Sequence, residues 1–470
     1  MTANKRLIVG LMAAGLCAIW FMRPASRWAE VTRPAPIPSV AEDRKPTLSR
    51  SFQLPSLKGR SAAKPVVAAD PDGNVLVVAH GVSNAPLGSD MLLWRSDDRG
   101  DTWSLPVNLT NQAQDGEVFF DPWLDTDRRG HFYFVHVLRS DGRPLIRRSK
   151  DAGLTWSHAL SIPWKWCDRP VLSVSPNGRR LVVAGSIRKK TDQYPSVPLD
   201  SSDPDLKRKL QAAFRFSTGI YVSRNQGDSW EKVAAPFEDA HAIPFSIICD
   251  DDGMIAASWI VAGNGSRSVV TVTEDHGKTW TKTTLVESLQ PDRPHSFNGE
   301  RFPVLSVDGR LGLHVAYVTA GATALMIQHN SDRKAWSDAK RLSSEAAEEV
   351  RMAAIDACGP MVHVTWMEKR GTNWHTYYRG SRDFGETWSS PLCLSETITL
   401  PDTTIANGFQ ISSDDDQSSI HDEGTGRAHA VWTMFGGEVV HAMIDWLPQH
   451  ERAENAHSPA PGATPVSTEE

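Results

Sequence analysis

Short runs of alternating apolar and polar residues recur along most of the chain and predict β-strands throughout. In successive segments an apolar run, often opened by proline, is followed by a turn rich in Asp, Asn and Gly. An alternating strand such as residues 131–137 comes next. Period-2 alternation between closely spaced turn signals is typical of strands, and proline is tolerated as the first residue of a strand. The pattern therefore predicts an all-β fold.

An eight-residue pattern, Ser-x-Asp-x-Gly-x-Thr-Trp, punctuates these strands. Five copies match this pattern, some with conservative substitutions, and end at Trp103, Trp156, Trp230, Trp280 and Trp388. A degenerate copy that lacks the glycine ends at Trp336. A period near 50 residues with four strands per repeat predicts the blades of a β-propeller. We expect the Asp to accept hydrogen bonds from the turn, the Gly to supply a positive φ, and the Trp to pack between blades. The pattern is thus predicted to be structural and to lie on the outer rim.

Seven four-stranded blades are predicted, and six remain an alternative if the first or last unit is misassigned. The blades cover residues 62–108, 117–164, 167–236, 242–288, 298–343, 350–396 and 407–446. The last blade has no copy of the pattern, and its three strands are expected at 409–411, 427–433 and 438–444. A strand from the N-terminal side, near Ser51–Leu54, would complete it and cover an open edge. The propeller as a whole is expected to span residues 50–447.

Both ends of the chain differ from this body. Lys5 and Arg6 precede an apolar run over residues 7–22. Sixteen residues suit a signal-peptide core better than a full membrane span, which needs about 20. Residues 1–23 are therefore expected to be a signal peptide or an uncleaved membrane anchor, with the body exported to the periplasm, the cell surface or the medium. Residues 24–49 are expected to be a disordered linker and 448–470 a disordered tail.

Composition narrows the classes of partner and cofactor. The net charge is −6 and the pI about 6.2, with no basic stripe, so no nucleic-acid partner is expected. Outside the apolar run four cysteines remain, Cys167, Cys249, Cys358 and Cys393. Pairing as disulfides and burial as free thiols are both open. No cysteine spacing typical of a metal site occurs, and no metal or other cofactor is expected.

The repeated pattern resembles the Asp box, or bacterial neuraminidase repeat. Over about residues 60–446 the chain resembles the superfamily of Asp-box propellers that includes the sialidases. That resemblance implies an exo-acting glycosidase on terminal acidic sugars, with three arginines that grip a carboxylate, a general-acid Asp, a Glu and a Tyr nucleophile. Asp boxes also occur in non-catalytic propellers, so a cell-envelope propeller that binds a glycan or a protein through its axial face is the alternative. A different lyase or hydrolase on the same scaffold is a third possibility.

The first blade allows a direct comparison with the sialidase pattern. Sialidases open this blade with Arg-Ile-Pro, and here Ala63-Lys64-Pro65 stands in that place, so the arginine is absent. Asp90 precedes Met-Leu-Leu-Trp and the first box, which resembles the segment from which sialidases present their general acid. The resemblance therefore implies a catalytic role for Asp90.

The other candidates are chosen by position, because the first strand of each blade lines the axis. Substrate-binding residues are expected at these strand openings, namely Asp121, Arg169, Arg301 and Arg351. Each arginine could instead pair with an acidic neighbour, namely Asp168, Glu300 or one of Glu348 and Glu349. Glu300 is the best candidate for a catalytic acid or base, and His241 also stands near a strand opening.

The remaining candidates lie in a strand and in two insertions. Tyr377 and Tyr378 are the candidates for a Tyr nucleophile, in a strand that would send one to each face. The insertion at 187–216 is expected to contain a short helix at 205–214. The insertion at 395–425 carries acidic residues at 414–416 and the run His421-Asp422-Glu423, which we expect to be solvent-exposed charge.

Overall fold

The structure is a computed structural model that confirms the predicted seven-bladed, all-β propeller. It describes residues 45–56, 60–83, 89–110, 119–127, 129–138, 140–165, 167–190, 214–238, 240, 242–261, 266–289, 302–371, 373–395, 398–399, 404–406, 409–411, 418–434 and 437–446. In these ranges no helix has both the length and the apolar character needed to cross a membrane.

The strands are numbered in chain order. They are β1 (Thr47–Gln53), β2 (Arg60–Ala69), β3 (Val75–Ser83), β4 (Ser89–Ser96), β5 (Val107–Asn108), β6 (Phe119–Thr126), β7 (Phe132–Leu138), β8 (Arg143–Ser149), β9 (Leu160–Ser161), β10 (Cys167–Val174), β11 (Leu181–Lys190), β12 (Phe214–Ser223), β13 (Glu231–Val233), β14 (Ala242–Cys249), β15 (Ile255–Val261), β16 (Ser266–Thr273), β17 (Thr281–Leu289), β18 (Val304–Val307), β19 (Leu313–Val318), β20 (Leu325–Asn330), β21 (Lys340–Arg341), β22 (Glu349–Cys358), β23 (Met361–Arg370), β24 (Asn373–Ser381), β25 (Leu392–Cys393), β26 (Ile398–Thr399), β27 (Thr404–Ala406), β28 (Phe409–Ile411), β29 (Ser418–Asp422), β30 (Arg427–Met434) and β31 (Glu438–Asp445).

Blades one to six each take four consecutive strands, beginning at β2, β6, β10, β14, β18 and β22, with β26 added to the sixth. Blade seven is ordered β29-β30-β31-β1. The first strand of each blade contacts the first strands of its two neighbours, and β29 contacts β2 to close the ring. These first strands are therefore the innermost layer around the axis.

The N-terminal strand completes the last blade, as the sequence predicts. Thr47 pairs with Asp445 and Gln53 with Val440, and β1 begins inside the segment expected to be a linker. The backbone N–H of Leu54 donates to the carbonyl of Val439 at 2.8 Å, and the Leu54 side chain is buried. The two ends of the propeller are thus held together, and the outer edge of β31 is covered.

The predicted inner strand of blade seven was wrong. Residues 409–411 form β28, which pairs only with β27, and the inner strand is β29, whose residues are all buried. The prediction that residues 421–423 are solvent-exposed was also wrong. Asp422 bonds the His363 ring at 2.6 Å, and Glu423 accepts from Arg99 at 2.7 Å. Residues 414–416, and 205–213 of the expected helix, lie outside the described residues.

Polar residues are needed in the inner strands because these strands have no ladder partner on the axial side. At several junctions a side chain of one blade accepts a hydrogen bond from a backbone N–H in the next. Asp125 accepts from Val174 N at 2.8 Å, Ser173 from Cys249 N at 3.1 Å, and Asp356 from Asp422 N at 2.8 Å. Buried polar side chains therefore join neighbouring blades around the axis.

The Asp boxes have the predicted local geometry. In the first box Asp98 Oδ1 accepts from Thr102 N at 2.8 Å, and Gly100 N donates to Ser96 Oγ at 2.9 Å. Arg99 and Gly100 both have positive φ, 60° and 84°. Val75 pairs with Ser96 near the box turn, whereas Arg60 pairs with Ser83 at the opposite end of the blade. We call these the box end and the linking end, because the chain passes between blades at the latter.

The four cysteines of the body, Cys167, Cys249, Cys358 and Cys393, are free thiols, and the first two are buried. The alternative without disulfides therefore holds, but burial applies only to Cys167 and Cys249, since Cys358 is half-buried and Cys393 is exposed.

Candidate axial site

Three adjacent inner strands carry the same irregularity. In β2, β6 and β10 the register shifts between Ala63 and Val66, Phe120 and Trp123, and Asp168 and Val171. The first extra residue in each case precedes a proline and has a positive φ, namely Lys64 (54°), Asp121 (53°) and Arg169 (61°). Positive φ costs a non-glycine residue about 1 kcal/mol or more, and a following proline disfavours helical conformations further. Strain repeated at equivalent positions is typical of a functional site.

The three strained residues form a row of alternating charge near the linking end. Lys64 Nζ bonds the Asp121 carboxylate, and Lys64, Asp121 and Arg169 are all buried. Burial alone would raise the pKa of the Asp121 carboxyl. The Lys64 ammonium and then the Arg169 guanidinium outweigh burial and hold that pKa below its ordinary value. Asp121 is therefore a carboxylate at neutral pH, between two cations.

The next two blades continue the row with aromatic rings. Phe245 and Phe302 stack at 3.3 Å between ring centroids with an angle of 8°, and Arg169 Cζ lies 6.0 Å from the centre of the Phe245 ring. Met352, at the equivalent bulge of blade six, is also buried and has a φ of 58°. Side chains thus surround the axis at this level, charged in blades one to three and apolar in blades four to six.

Histidines of the second strands lie behind the charged row. The electrostatic interaction with His80 also lowers the pKa of the Asp121 carboxyl. His136 lies opposite the bulge of blade two. His136 is fully buried and stacks on Phe134 at 4.7 Å. Burial, and then the nearby Arg147, lower the pKa of His136 to about 3. His136 is therefore a neutral ring in the folded protein at neutral pH.

Two of the remaining predicted site residues, Asp90 and Arg351, are among the described residues. Asp90 is half-buried in β4, opposite Gly81 near the linking end of blade one. Arg351 bonds Glu349 at 2.9 Å and lies 4.7 Å from the Trp374 ring, which is the pairing with an acidic neighbour left open above. Glu300, Arg301 and His241 lie outside the described residues.

The two tyrosines point to opposite faces of β24, as expected. Tyr377 packs on a neighbouring strand of blade six, and Tyr378 packs between blades six and seven. Tyr378 is fully buried, and its hydroxyl bonds His363 Nδ1 at 2.7 Å and Trp446 Nε1 at 2.6 Å. Tyr377 stacks on Trp366 with 6.0 Å between ring centroids. Burial raises the pKa of both phenols. These positions favour packing roles over a nucleophile that must ionise.

Comparisons with known proteins find only distant likenesses among solved structures. No family model and none of the curated proteins matches the chain. Among solved structures, a protein of unknown function from Dyadobacter fermentans is 13% identical with a TM-score of 0.47, covering 71% of this chain and 97% of that one. An ulvan lyase is 10% identical with a TM-score of 0.47, covering 86% and 99%. The endosialidase of phage phi92 is 9% identical with a TM-score of 0.43, covering 90% and 71%. Likenesses of this size do not carry a function from one chain to another.

The chemistry available at the axial row is that of recognition by charge and hydrogen bonding. Lys64 and Arg169 are donors suited to a carboxylate, and Asp121 is an acceptor suited to a hydroxyl. Within the described ranges no three His, Cys, Asp or Glu side chains come together so as to hold a metal ion. Lys64 was not among the predicted site residues, because the sialidase pattern places its arginine at Ala63. The signal for it was present, because the residues before the first proline of blades one to three read Lys, Asp, Arg.

Proposed function

We propose that the protein is an exported, sialidase-like β-propeller that recognises a glycan carrying an acidic sugar at the linking end of its axis. The observation that carries this proposal is the strained, buried row Lys64–Asp121–Arg169, repeated at equivalent positions of three adjacent blades. Folded proteins seldom keep backbone strain and buried charge together unless the site is used.

The proposed ligand class follows from the two halves of the row. A sugar carboxylate would bind Arg169 and Lys64, whose cationic donors suit a planar anion, and its hydroxyls would bind Asp121. The apolar face of a pyranose ring would pack towards Phe245 and Phe302.

Recognition is proposed as the main function, ahead of hydrolysis. Ala63 stands where the sialidase pattern has its first arginine, Tyr377 stacks on Trp366, and Tyr378 is buried between blades six and seven. These observations weigh against a sialidase mechanism that depends on an arginine triad and a tyrosine nucleophile.

The test is a screen of purified protein on a glycan array that includes acidic and neutral sugars. We expect saturable binding to acidic glycans, weakened at least tenfold by Arg169→Gln. The matched control is Arg224→Gln, an exposed arginine in the box of the same blade, which should leave binding unchanged. Binding to no glycan, or equal binding by the two variants, would contradict the proposal. A protein captured from the cell envelope in an Arg169-dependent way would instead support the alternative of a protein partner.

A second candidate function is exo-hydrolysis of a terminal acidic sugar. It is favoured by Asp90, a half-buried carboxyl group near the linking end of the blade that carries Lys64. It predicts release of the fluorophore from a fluorogenic sialoside, with turnover lost in Asp90→Asn and in Glu300→Gln. Turnover no faster than in buffer alone would rule this candidate out and leave recognition intact.

A further inference from the structure

The described part of the outer rim has an apolar region in blades one and two. Among the described residues four large hydrophobic side chains are exposed, Leu105 (64%), Val107 (56%), Leu154 (66%) and Leu160 (37%). All four belong to blades one and two. Leu105 and Val107 follow the first box, Leu154 is in the second box, and Leu160 is in β9. We call these four residues the apolar rim.

The outer strands of blades three, four, five and seven have a different character. Exposed positions are polar or charged in β13 (Glu231 and Lys232), β17 (Thr281 and Lys282), β21 (Lys340) and β1 (Arg50). Charged side chains, lysine above all, protect free sheet edges from contact with other molecules. Blades one and two lack this protection, and exposed apolar residues that cluster mark a contact surface.

A hydrogen bond between blades one and two lies close in sequence to Leu105 and Leu154. Arg95 Nε donates to the carbonyl of Ala152 at 2.8 Å, which links the first box to the second. Ser104 N donates to the carbonyl of Arg95 at 2.9 Å. Leu105 and Leu154 therefore flank one bridge at the box end and belong to one surface.

The N-terminal chain enters the propeller beside this surface. β1 lies on the rim of blade seven, and its first residue, Thr47, pairs with Asp445 at the box end. Arg427 of the same blade donates to the carbonyl of Arg99 in the first box at 2.9 Å, so blade seven adjoins the apolar rim. Only residues 23–46 separate Thr47 from the apolar run at 7–22. These 24 residues span at most about 80 Å even when fully extended.

We propose that residues 7–22 remain as a membrane anchor and that the apolar rim rests on the same bilayer, with its leucines in the interfacial region. Apolar side chains that enter the interfacial region of a bilayer are stabilised because they leave water. The linking end, with the axial row, would then point away from the lipid. This inference rests on an uncleaved anchor and not on glycan recognition.

The test uses the full chain reconstituted in phosphatidylcholine and phosphatidylglycerol liposomes. Cys17→Ser, Cys358→Ser and Cys393→Ser remove the thiols that a dye could reach, since Cys167 and Cys249 are buried. Single cysteines are then introduced as Leu105→Cys and Leu154→Cys, with Lys340→Cys on the rim of blade five as the matched control. Each is labelled with an environment-sensitive dye, and quenching by nitroxide-labelled lipid is measured.

We expect blue-shifted emission and at least twofold stronger quenching at 105 and 154 than at 340. Quenching equal at the three positions would overturn the proposal. So would recovery of the native protein in the soluble fraction without residues 1–23. Dye shielding at 105 and 154 that rises with protein concentration in the absence of lipid would identify a second copy as the occupant, and would also overturn it.

Discussion

At the residue scale, packing against blade seven leaves no room for a side chain at the glycine of the first box. Gly100 has a φ of 84°, and a Cβ there would lie 2.8 Å from His441 Cε1 and 3.2 Å from the His429 ring. Those two histidines are buried, with 3.1 Å between His429 Nδ1 and His441 Nε2. The tight turn thus matters for blade-to-blade packing as well as for the box itself.

Gly100→Ala is expected to lower the free energy of unfolding by about 2–4 kcal/mol, from backbone strain and the clash with His441. Gly359→Ala is the matched control, because Gly359 has a φ of 58° and open space around its Cα. It should cost about 1 kcal/mol, from backbone strain alone. Urea denaturation of the two variants tests this difference, and equal losses would contradict the packing argument.

His136 predicts how stability depends on pH. Its pKa is about 3 when folded, against 6.5 ordinarily, so the unfolded chain takes up a proton first as the pH falls. Above pH 6.5 His136 is neutral in both the folded and the unfolded chain, so the free energy of unfolding has its full value there. It decreases as the pH falls towards 3, by about 1.4 kcal/mol per pH unit.

His136→Phe should therefore flatten the fall in the free energy of unfolding between pH 6.5 and 4.5, by about 2–3 kcal/mol over that interval. His158→Phe, at an exposed histidine, serves as the control and should keep the wild-type pH dependence. The measurement is urea denaturation at a series of pH values. Parallel curves for the two variants would show that His136 does not titrate as described.

At the element scale, β1 is the strand on which closure depends. It covers the edge of β31, and Leu54 just beyond it is buried. Deletion of residues 1–44 should leave the thermal midpoint of the propeller unchanged. Deletion of residues 1–54 should lower it by about 10 °C or more, or cause aggregation through the exposed edge. Thermal denaturation followed by circular dichroism distinguishes the two truncations, and equal midpoints would mean that β1 is dispensable.

Some elements can be predicted from the sequence and others cannot. Each Asp box forms its hydrogen bonds within eight residues, so its repetition predicts the blades directly. β29 could not be found in this way. Its polar residues look like a loop, and only contacts with other blades, such as Asp422 with His363 and Glu423 with Arg99, explain their burial. The same limit applies to the site. The positions of Asp121 and Arg169 follow from the prolines, whereas their link to Lys64 appears only when neighbouring blades meet.

At the scale of the whole molecule, the propeller separates two tasks along its axis. The box end holds the rigid turns, and the box glycine of blade one packs against the closing blade. The linking end carries the strained charges of blades one to three and the paired aromatic rings of blades four and five. The central claim is that this charged row recognises the carboxylate of an acidic sugar.

The most direct test is a double-mutant cycle between Arg169 and that carboxylate, measured by isothermal titration calorimetry. Wild-type protein and Arg169→Gln are each titrated with the best acidic glycan and with its carboxyl-reduced form. The account predicts that wild-type protein prefers the acidic form by about 10- to 100-fold and that Arg169→Gln loses this preference, since a charge-assisted hydrogen bond contributes about 1.5–3 kcal/mol. An undiminished preference in Arg169→Gln would contradict it.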